Sequence, residues 1–276
     1  MQTVDALCSA FLVSGQTGRV PLVSQMTESS YPAVIDLVIP ARNEAENIDA
    51  LFDAIPKGVF RSVVLVDNGS KDTTAELARA QGAVVVREAR PGYGAACQAG
   101  LNWIRTDQPS PPNMVAFLDA DLADDPACLP ILCDRITRGG ADLVIGTRAN
   151  RAEPGALDPH QRFGNWLACR LIGLATGRRF RDLGPMRVVR WRALQRLKMR
   201  DRTWGWTVEM QFKAARLGLQ VVEVDVPYRK RRAGRSKISG SLIGSARAGV
   251  KIIATIAQLY WADRRGRLCV ETETQS

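Results

Sequence analysis

Two aspartates near the middle of the chain, Asp119 and Asp121, carry the chemistry that the sequence suggests most directly. They follow the apolar run 114–118, which is short, bounded by turn residues and typical of a buried strand. Two carboxylates this close repel each other unless a cation lies between them. Mg²⁺ or Mn²⁺ suits that position, because these cations take oxygen ligands and share them with substrate phosphates. From the spacing alone, a divalent metal site and a purely structural acidic turn fit equally well.

The next two acids, Asp124 and Asp125, have a simpler explanation. They stand directly before Pro126 and a helical pattern. Acidic residues at that position interact favourably with the positive end of a helix dipole. We expect both of them to begin the helix rather than to bind a metal.

The surrounding elements place the paired aspartates at one edge of a sheet. Apolar runs alternate with helical patterns, which predicts an α/β fold with a single doubly wound, mainly parallel sheet flanked by helices. In such a sheet the turns after the strands meet at the carboxyl edge and form one crevice. The predicted strands are Val34–Ile39, Arg61–Val66, Ala83–Val86, Met114–Leu118 and Asp142–Ile145. The side chains expected in the crevice are Arg42, Glu44, Asp67, Asp119 and Asp121.

The common phosphate-binding loops are missing from the sequence. The turn after the first predicted strand, residues 40–44, lacks GxGxxG, and no GxxxxGK[ST] occurs in the chain. The segment 90–94, with sequence RPGYG, is rich in glycine and precedes a helical pattern. It fits a plain turn and a phosphate cradle equally well.

Cysteine and histidine usage excludes zinc and indicates a reducing compartment. The six cysteines form no CxxC pair, and the single histidine, His160, has no partner at metal-ligand spacing. We therefore expect reduced thiols and a cytoplasmic protein.

Charge is divided unevenly between the two halves of the chain. Residues 1–146 contain 11 Lys and Arg against 18 Asp and Glu, whereas residues 147–276 contain 27 against 10. The acidic half carries the predicted metal site, and the basic half suits an anion such as a phosphate or an anionic membrane surface. Nucleic acid is not an expected partner, because no nucleic-acid-binding module is recognisable.

The two ends of the chain differ from its centre. Residues 1–30 show no clear period and no signal peptide, so we expect a disordered lead. A helical pattern runs from about Ile238 to Ala262, and its Arg247 and Lys251 argue against a membrane span. This amphipathic helix either packs on the core or lies at an anionic lipid surface together with the basic tail.

Five motifs, in order, resemble the family-two glycosyltransferases of the GT-A fold. They are VIPARNEAENI, LVDNGSKDTT, RPGYGAA, FLDADLADDP and RRAGRSK, and together they cover roughly residues 34–239. The nearest resemblance is to the dolichyl- or polyprenyl-phosphate sugar synthases. It implies a GT-A domain over residues 31–240, with a nucleotide and metal half at 31–146 and an acceptor half at 147–240. Residues 241–276 then form the amphipathic helix and basic tail.

The resemblance also implies which residues hold the donor. Asp119 and Asp121 match the DxD motif, which binds Mg²⁺ or Mn²⁺ and the diphosphate of a UDP- or GDP-sugar, so Asp121 is assigned to catalysis. The lipid-phosphate synthases commonly carry Gln two residues later, where this chain has Ala123. The implied nucleotide-sugar contacts are Pro40, Arg42, Glu44, Asp67, Asp119, Arg231, Ser236 and Lys237.

The acceptor side remains open between two chemistries. A phosphate acceptor would be bound well by the planar fork of arginine, for which Arg148 and Arg162 are the candidates. A hydroxyl acceptor would instead need a general base, for which Glu209 and Asp182 are the candidates. The resemblance favours an inverting transferase that moves glucose or mannose to a polyprenyl or dolichyl phosphate at the membrane surface. Transfer to a soluble hydroxyl is the alternative, with a sugar-1-phosphate nucleotidyltransferase or a non-catalytic nucleotide-sugar-binding protein further behind.

Overall fold

The computed structural model describes residues 33–232 and 242–268. Within them, one seven-stranded sheet is formed by strands β1 to β7, which are Ile35–Ala41, Ser62–Asp67, Val84–Arg87, Met114–Phe117, Leu143–Thr147, Arg187–Arg190 and Val221–Asp225. Helices α1 to α8 are Ala45–Ala54, Thr74–Ala80, Tyr93–Asp107, Leu129–Thr137, Pro159–Thr176, Trp191–Leu197, Trp206–Arg216 and Leu242–Arg264. The predicted lead 1–30 and the residues Ser236 and Lys237 lie outside the described residues.

The strand order β3-β2-β1-β4-β6-β5-β7 confirms the doubly wound, mainly parallel sheet. All five predicted strands form, with ends that differ from the prediction by at most two residues. The sequence analysis missed two strands, β6 and β7. β6 is the single antiparallel strand among those described, and it lies between β4 and β5.

Burial on both faces explains why the central strands were recognisable. Successive side chains of a strand point to opposite faces, so a strand that is covered on both sides becomes a continuous apolar run. In β1, Val38 packs in one core layer together with Val64 and Val66 of β2. The next residue, Ile39, packs in the opposite layer with Leu65.

Helix α8 confirms the amphipathic helix predicted near the end of the chain. It buries Thr255 and Ile256, whereas Val250 and Trp261 are exposed. Among the described residues, no helix combines the length and the apolar character that crossing a bilayer requires.

Tight backbone packing occurs where the segment before β6 passes the end of β5. A Cβ atom built on Gly184 would overlap the carbonyl oxygen of Gly146. The same region is held by a hydrogen bond of 2.9 Å from the Gly146 amide to the Met186 carbonyl oxygen. The Gly146 carbonyl oxygen belongs to the main chain of β5, and the Gly184 Cα belongs to the main chain just before β6. Neither can therefore move without displacing part of the sheet.

We expect Gly184→Ala to lower the free energy of unfolding by about 1–3 kcal/mol, because the added methyl group must displace the main chain. Gly164→Ala is the matched control: it lies inside α5, and no atom is within 4 Å of its added Cβ. That substitution should instead stabilise by about 0.5–1 kcal/mol through the helix preference of alanine. Urea denaturation of both variants is the measurement, and equal effects of the two would contradict the packing argument.

Candidate active site

The strand register brings the predicted crevice residues to one edge of the sheet. Asp67, the last residue of β2, lies beside Ala41 at the end of β1. Phe117, the last residue of β4, pairs with Val38 of the same strand β1. The turns that carry Arg42, Glu44, Asp67 and Asp119 therefore leave the sheet side by side.

The turns after β1 and β2 hold each other in place. Asn43 adopts a left-handed conformation with φ 51°, and its side-chain oxygen accepts a 2.7 Å hydrogen bond from the Lys71 amide. Asp67 is buried, and its Oδ1 accepts a 2.8 Å bond from the Ser70 amide. Glu44 is also buried and accepts a 2.8 Å bond from the Asn47 side chain. Arg42 is exposed at the rim.

The Asp119 carboxylate has an unsatisfied charge. Its Oδ1 is sealed from solvent and has no hydrogen-bond partner, although the Tyr93 hydroxyl bonds to the carboxylate. Burial, and then the neighbouring Asp121 carboxylate, raise the pKa of Asp119 from its ordinary value of 3.8 to about 7. A cation at this oxygen would offset both effects, because an opposite charge favours the ionised carboxylate.

The Asp121 carboxylate already has a cationic neighbour. It is 4% exposed, its Oδ1 accepts a 3.0 Å bond from the Ala123 amide, and its Oδ2 lies 2.8 Å from Nη2 of Arg231. The structure thus brings the first arginine of the RRAGRSK motif to the paired aspartates.

These two residues fit a divalent ion that shares its shell with a substrate. Asp119 offers a buried oxygen without a partner, and Asp121 demonstrably attracts positive charge. In the part of the chain that the structure describes, no three His, Cys, Asp or Glu side chains converge as a metal cage. Two carboxylates and phosphate oxygens are, however, a usual ligand set for Mg²⁺.

Asp124 is a site residue that the sequence analysis missed. Asp125 does cap the short 3₁₀ turn that starts at Pro126, as predicted, and its carboxylate accepts a 3.0 Å bond from the Ala127 amide. The same prediction is wrong for Asp124, which is 2% exposed and has neither carboxylate oxygen bonded. Burial raises its pKa well above the ordinary value, while Arg148 opposes the shift. The signal that could have distinguished the two acids is that only one residue can cap the turn.

The glycine-rich segment before α3 is a turn rather than a phosphate cradle. The amides that begin the helix are used by the protein, since Gly94 donates to the Thr203 carbonyl oxygen at 3.1 Å and Ala95 to that of Arg202 at 2.8 Å. A Cβ atom on Gly94 would overlap the carbonyl oxygen of Asp201. Glycine is therefore required by the approach of residues 201–203.

Arg148 and Asp182 form a buried pair on the other side of the site. The arginine donates to the carboxylate through Nη2 and Nε at 2.7 and 2.8 Å, and its backbone amide adds a third bond at 2.7 Å. Burial would raise the pKa of Asp182, but the adjacent Arg148 holds it below the ordinary value. The guanidinium also stacks over the Tyr228 ring, 5.1 Å from its centre.

A cavity of about 1070 Å³ opens beside this pair. Its wall is formed by α5 together with residues 148–157 and 177–182. The lining combines positive charge with apolar surface. It includes the arginines Arg148, Arg162, Arg170, Arg179 and Arg181 and the apolar residues Leu157, Trp166, Leu174 and Phe180.

The structure does not bring the two candidate bases together. Asp182 lines the large cavity, whereas Glu209 lines a separate cavity of about 310 Å³ beside Thr255 of α8. Glu209 is 3% exposed and accepts bonds from the Asp201 amide at 2.7 Å and from Nζ of Lys213 at 2.7 Å. The role of either residue as a base stays a prediction.

The model of glycosyl transferase family 2 matches residues 36–220. The chain belongs to this family. Membership confirms the resemblance in the five motifs and makes the protein a nucleotide-sugar-dependent glycosyltransferase.

Proteins similar to this chain include transferases named for lipid phosphates. An uncharacterized glycosyltransferase of Mycobacterium tuberculosis is 41% identical over 219 residues, which are 76% of this chain and 92% of the relative. An undecaprenyl-phosphate mannosyltransferase of Micrococcus luteus is 29% identical over 84% of this chain and 97% of its own length. A dolichyl-phosphate hexose transferase of Haloferax volcanii is 30% identical over 83% and 96%.

Solved structures confirm the GT-A fold for this family 2 chain. Glucosyl-3-phosphoglycerate synthase from Mycobacterium tuberculosis, crystallised with Mn²⁺, UDP-glucose and phosphoglyceric acid, gives a TM-score of 0.65. The similarity covers 88% of this chain and 82% of that one at 23% identity.

We expect Asp119→Asn to stabilise the metal-free protein. The pKa of Asp119 is raised on folding, so its contribution to stability is lost as the pH rises from about 4 to about 7. The neutral amide avoids this loss, which should raise the free energy of unfolding at pH 8 by about 1–4 kcal/mol. Thermal denaturation in EDTA at pH 4 and pH 8 measures the difference.

The same variant should lose the stabilisation that MnCl₂ and a nucleoside diphosphate give the parent protein, since one of two carboxylate ligands is gone. Asp53→Asn, which changes an exposed acid on α1, is the control and should leave both responses intact. A parent-like response to MnCl₂ in Asp119→Asn would rule Asp119 out as a metal ligand.

Proposed function

We propose that this chain is an inverting glycosyltransferase that moves a hexose, glucose or mannose, from a UDP- or GDP-sugar to a polyprenyl phosphate. The observation that carries the proposal is the large cavity beside Arg148, whose lining is both arginine-rich and apolar. An acceptor that suits such a lining has an anionic head and an apolar tail. A lipid phosphate has both.

The donor half is proposed to be residues 31–146. Pro40, Arg42, Glu44 and Asp67 would contact the nucleoside, at the strand ends where ligands bind in open α/β sheets. Asp119 and Asp121 would hold Mg²⁺ or Mn²⁺, which neutralises negative charge on the departing diphosphate. Arg231 already lies 2.8 Å from Asp121, so it is positioned to contact the same phosphates. Ser236 and Lys237 are proposed as further phosphate contacts.

The acceptor half is proposed to be residues 147–240, with Arg148 as the main phosphate ligand. Asp182 takes two of the arginine's nitrogens, Nε and Nη2, and so fixes the plane of the guanidinium. The third nitrogen, Nη1, is left for an acceptor oxygen. Arg162 lines the same cavity and is exposed, which suits it to a second contact.

The hydrogen bonds of the candidate bases favour a phosphate acceptor over a hydroxyl. Deprotonating a hydroxyl would require a carboxylate with a free lone pair near the acceptor. Asp182 is bonded to Arg148 through both oxygens, and Glu209 is bonded to Lys213 and two backbone amides away from the large cavity. A phosphate is already an anion and needs no base. We therefore propose that Asp182 positions Arg148.

The names of two relatives support a lipid phosphate as the acceptor. One structurally similar enzyme points to a soluble phosphate as the alternative acceptor. Two of the similar transferases are named for undecaprenyl and dolichyl phosphate. The structurally similar synthase binds phosphoglyceric acid, which also carries a phosphate but has no apolar tail. A lipid acceptor would place this enzyme at the inner face of the cell membrane as a peripheral protein.

A set of three acceptors tests the proposal, with radiolabelled UDP-glucose and GDP-mannose as donors. We expect transfer to a short polyprenyl phosphate and none to the matching polyprenol, which has the same chain without the phosphate. Phosphoglyceric acid, a phosphate without the chain, should be a poor acceptor. Preferred transfer to the polyprenol or to phosphoglyceric acid would contradict a lipid-phosphate acceptor.

Arg148→Lys should lower kcat/KM for the acceptor about 10- to 100-fold, because lysine keeps the charge but cannot serve Asp182 and a phosphate together. The KM of the donor should change little. Arg138→Lys, at the exposed end of α4, is the control and should behave as the parent enzyme. An unchanged acceptor KM in Arg148→Lys would place the phosphate elsewhere.

A further inference from the structure

Helix α5 presents a band of large apolar side chains to solvent. Phe163 is 61% exposed, Trp166 57% and Leu174 74%. At 100° per residue, these three and Arg170 lie within about 80° of arc on the helix. We call these four residues, together with the adjacent Arg162, the α5 face. Isolated exposed apolar residues are ordinary, but a contiguous band marks an interaction surface.

The aromatic members of the α5 face already contact each other. The ring centres of Phe163 and Trp166 are 5.8 Å apart with an interplanar angle of 32°. The pair therefore forms one continuous apolar patch on the outside of the helix. Nothing in the described residues covers it.

The positive charges of the α5 face are unpaired. Across residues 33–232 and 242–268, no carboxylate forms an ion pair with Arg162 or Arg170, nor with Arg179, which lines the same cavity outside α5; all three arginines are exposed. Exposed arginines that form no ion pair leave a positive potential that attracts an anionic partner. Apolar rings and unpaired arginines on one helix face are the composition of a helix that lies in a membrane interface.

The α5 face also borders the acceptor cavity. Four of its five residues, all except Phe163, line that cavity. A surface lying on the α5 face would therefore meet the mouth of the cavity, so that a lipid could enter without crossing water.

We propose that the α5 face docks on an anionic lipid bilayer and presents the mouth of the acceptor cavity to it. The inference rests on the proposed function in one respect, namely that the acceptor is a lipid. Docking itself depends only on the exposed rings and the unpaired arginines.

Helix α8 is the competing surface, and its charges distinguish it from α5. It exposes Val250, Ile253 and Trp261. Its Lys251, however, pairs with Asp201 at 3.3 Å, and its Arg264 stacks on Tyr260 at 5.9 Å. These cations are engaged within the protein, whereas those of the α5 face are not.

Vesicle flotation with the full chain tests the proposal. The parent protein should bind vesicles of phosphatidylcholine mixed with phosphatidylglycerol, and added salt should weaken the binding. The double variant Phe163→Ser/Trp166→Ser should bind about tenfold more weakly, because both rings leave the interface. The matched variant Ile253→Ser/Trp261→Ser on α8 should bind like the parent.

Three results would overturn the proposal. One is parent-like binding of the α5 variant; another is an equal or larger loss in the α8 variant. A third is a dimer, seen by analytical ultracentrifugation, that the α5 substitutions dissociate while vesicle binding is unchanged. In that case the α5 face pairs with a second copy of the chain.

A separate assay distinguishes a failure of membrane docking from a failure of the proposed lipid-phosphate acceptor. Phe163→Ser should transfer sugar to a detergent-dissolved polyprenyl phosphate at the parent rate and should be slower only when the acceptor is embedded in vesicles. Vesicle binding by a parent protein that transfers nothing to polyprenyl phosphate would refute the proposed acceptor and leave docking intact. Equal rates of Phe163→Ser and the parent on embedded acceptor would refute docking.

Discussion

Poor hydration of three neighbouring carboxylates, increased by their mutual repulsion, is the constraint on which the site depends. Asp119, Asp121 and Asp124 lie within six residues of one another at the end of a central strand. Asp121 and Asp124 are buried, and Asp119 is half-buried with its Oδ1 sealed from solvent. Arg231 compensates Asp121, and Arg148 partly compensates Asp124. Arg231, Arg148 and the Tyr93 hydroxyl also favour the ionised form of Asp119, but burial and the Asp121 carboxylate outweigh them, so the pKa of Asp119 is raised. The ionised Asp119 carboxylate is therefore unfavourable in the folded protein and lowers its stability.

Two ion pairs of similar chemistry, one beside the large cavity and one enclosed, lie in different surroundings. Arg148 and Asp182 border the large cavity, so their pairing fixes a guanidinium at the cavity wall. Glu209 and Lys213 are almost wholly enclosed, and the Lys213 ammonium also bonds the Lys198 carbonyl oxygen at 2.7 Å. The second pair joins α7 to the segment before it. In the sequence all four are simply charged residues of the basic second half of the chain. Only the structure shows that one pair borders the large cavity and the other is enclosed.

The sequence predicts an element or a role well where the evidence lies in neighbouring residues. It predicts poorly where the evidence lies in residues far along the chain. The strands β1, β2 and β4 were recognisable because covered parallel strands are continuous apolar runs. The four-residue β6 has arginine at both ends, and β7 alternates valine with acids, so neither shows such a run. The role of Gly94 depends on carbonyl groups more than a hundred residues later in the chain. Asp124 was misread because its nearest sequence signal, a proline two residues on, belongs to Asp125.

A single segment after β7 connects the paired aspartates with the wall of the large cavity. Its Tyr228 forms bridges with both Asp124 and Ala152, and the Tyr228 ring supports the Arg148 guanidinium. The next residue, Arg229, donates from its amide to the Ala123 carbonyl oxygen at 2.8 Å, and Arg231 follows at Asp121. Position 123 contributes its backbone to this contact, and its side chain is buried, which suits a small apolar residue such as alanine. One short segment therefore contacts both the paired aspartates and the cavity wall, which couples the positions of the two regions.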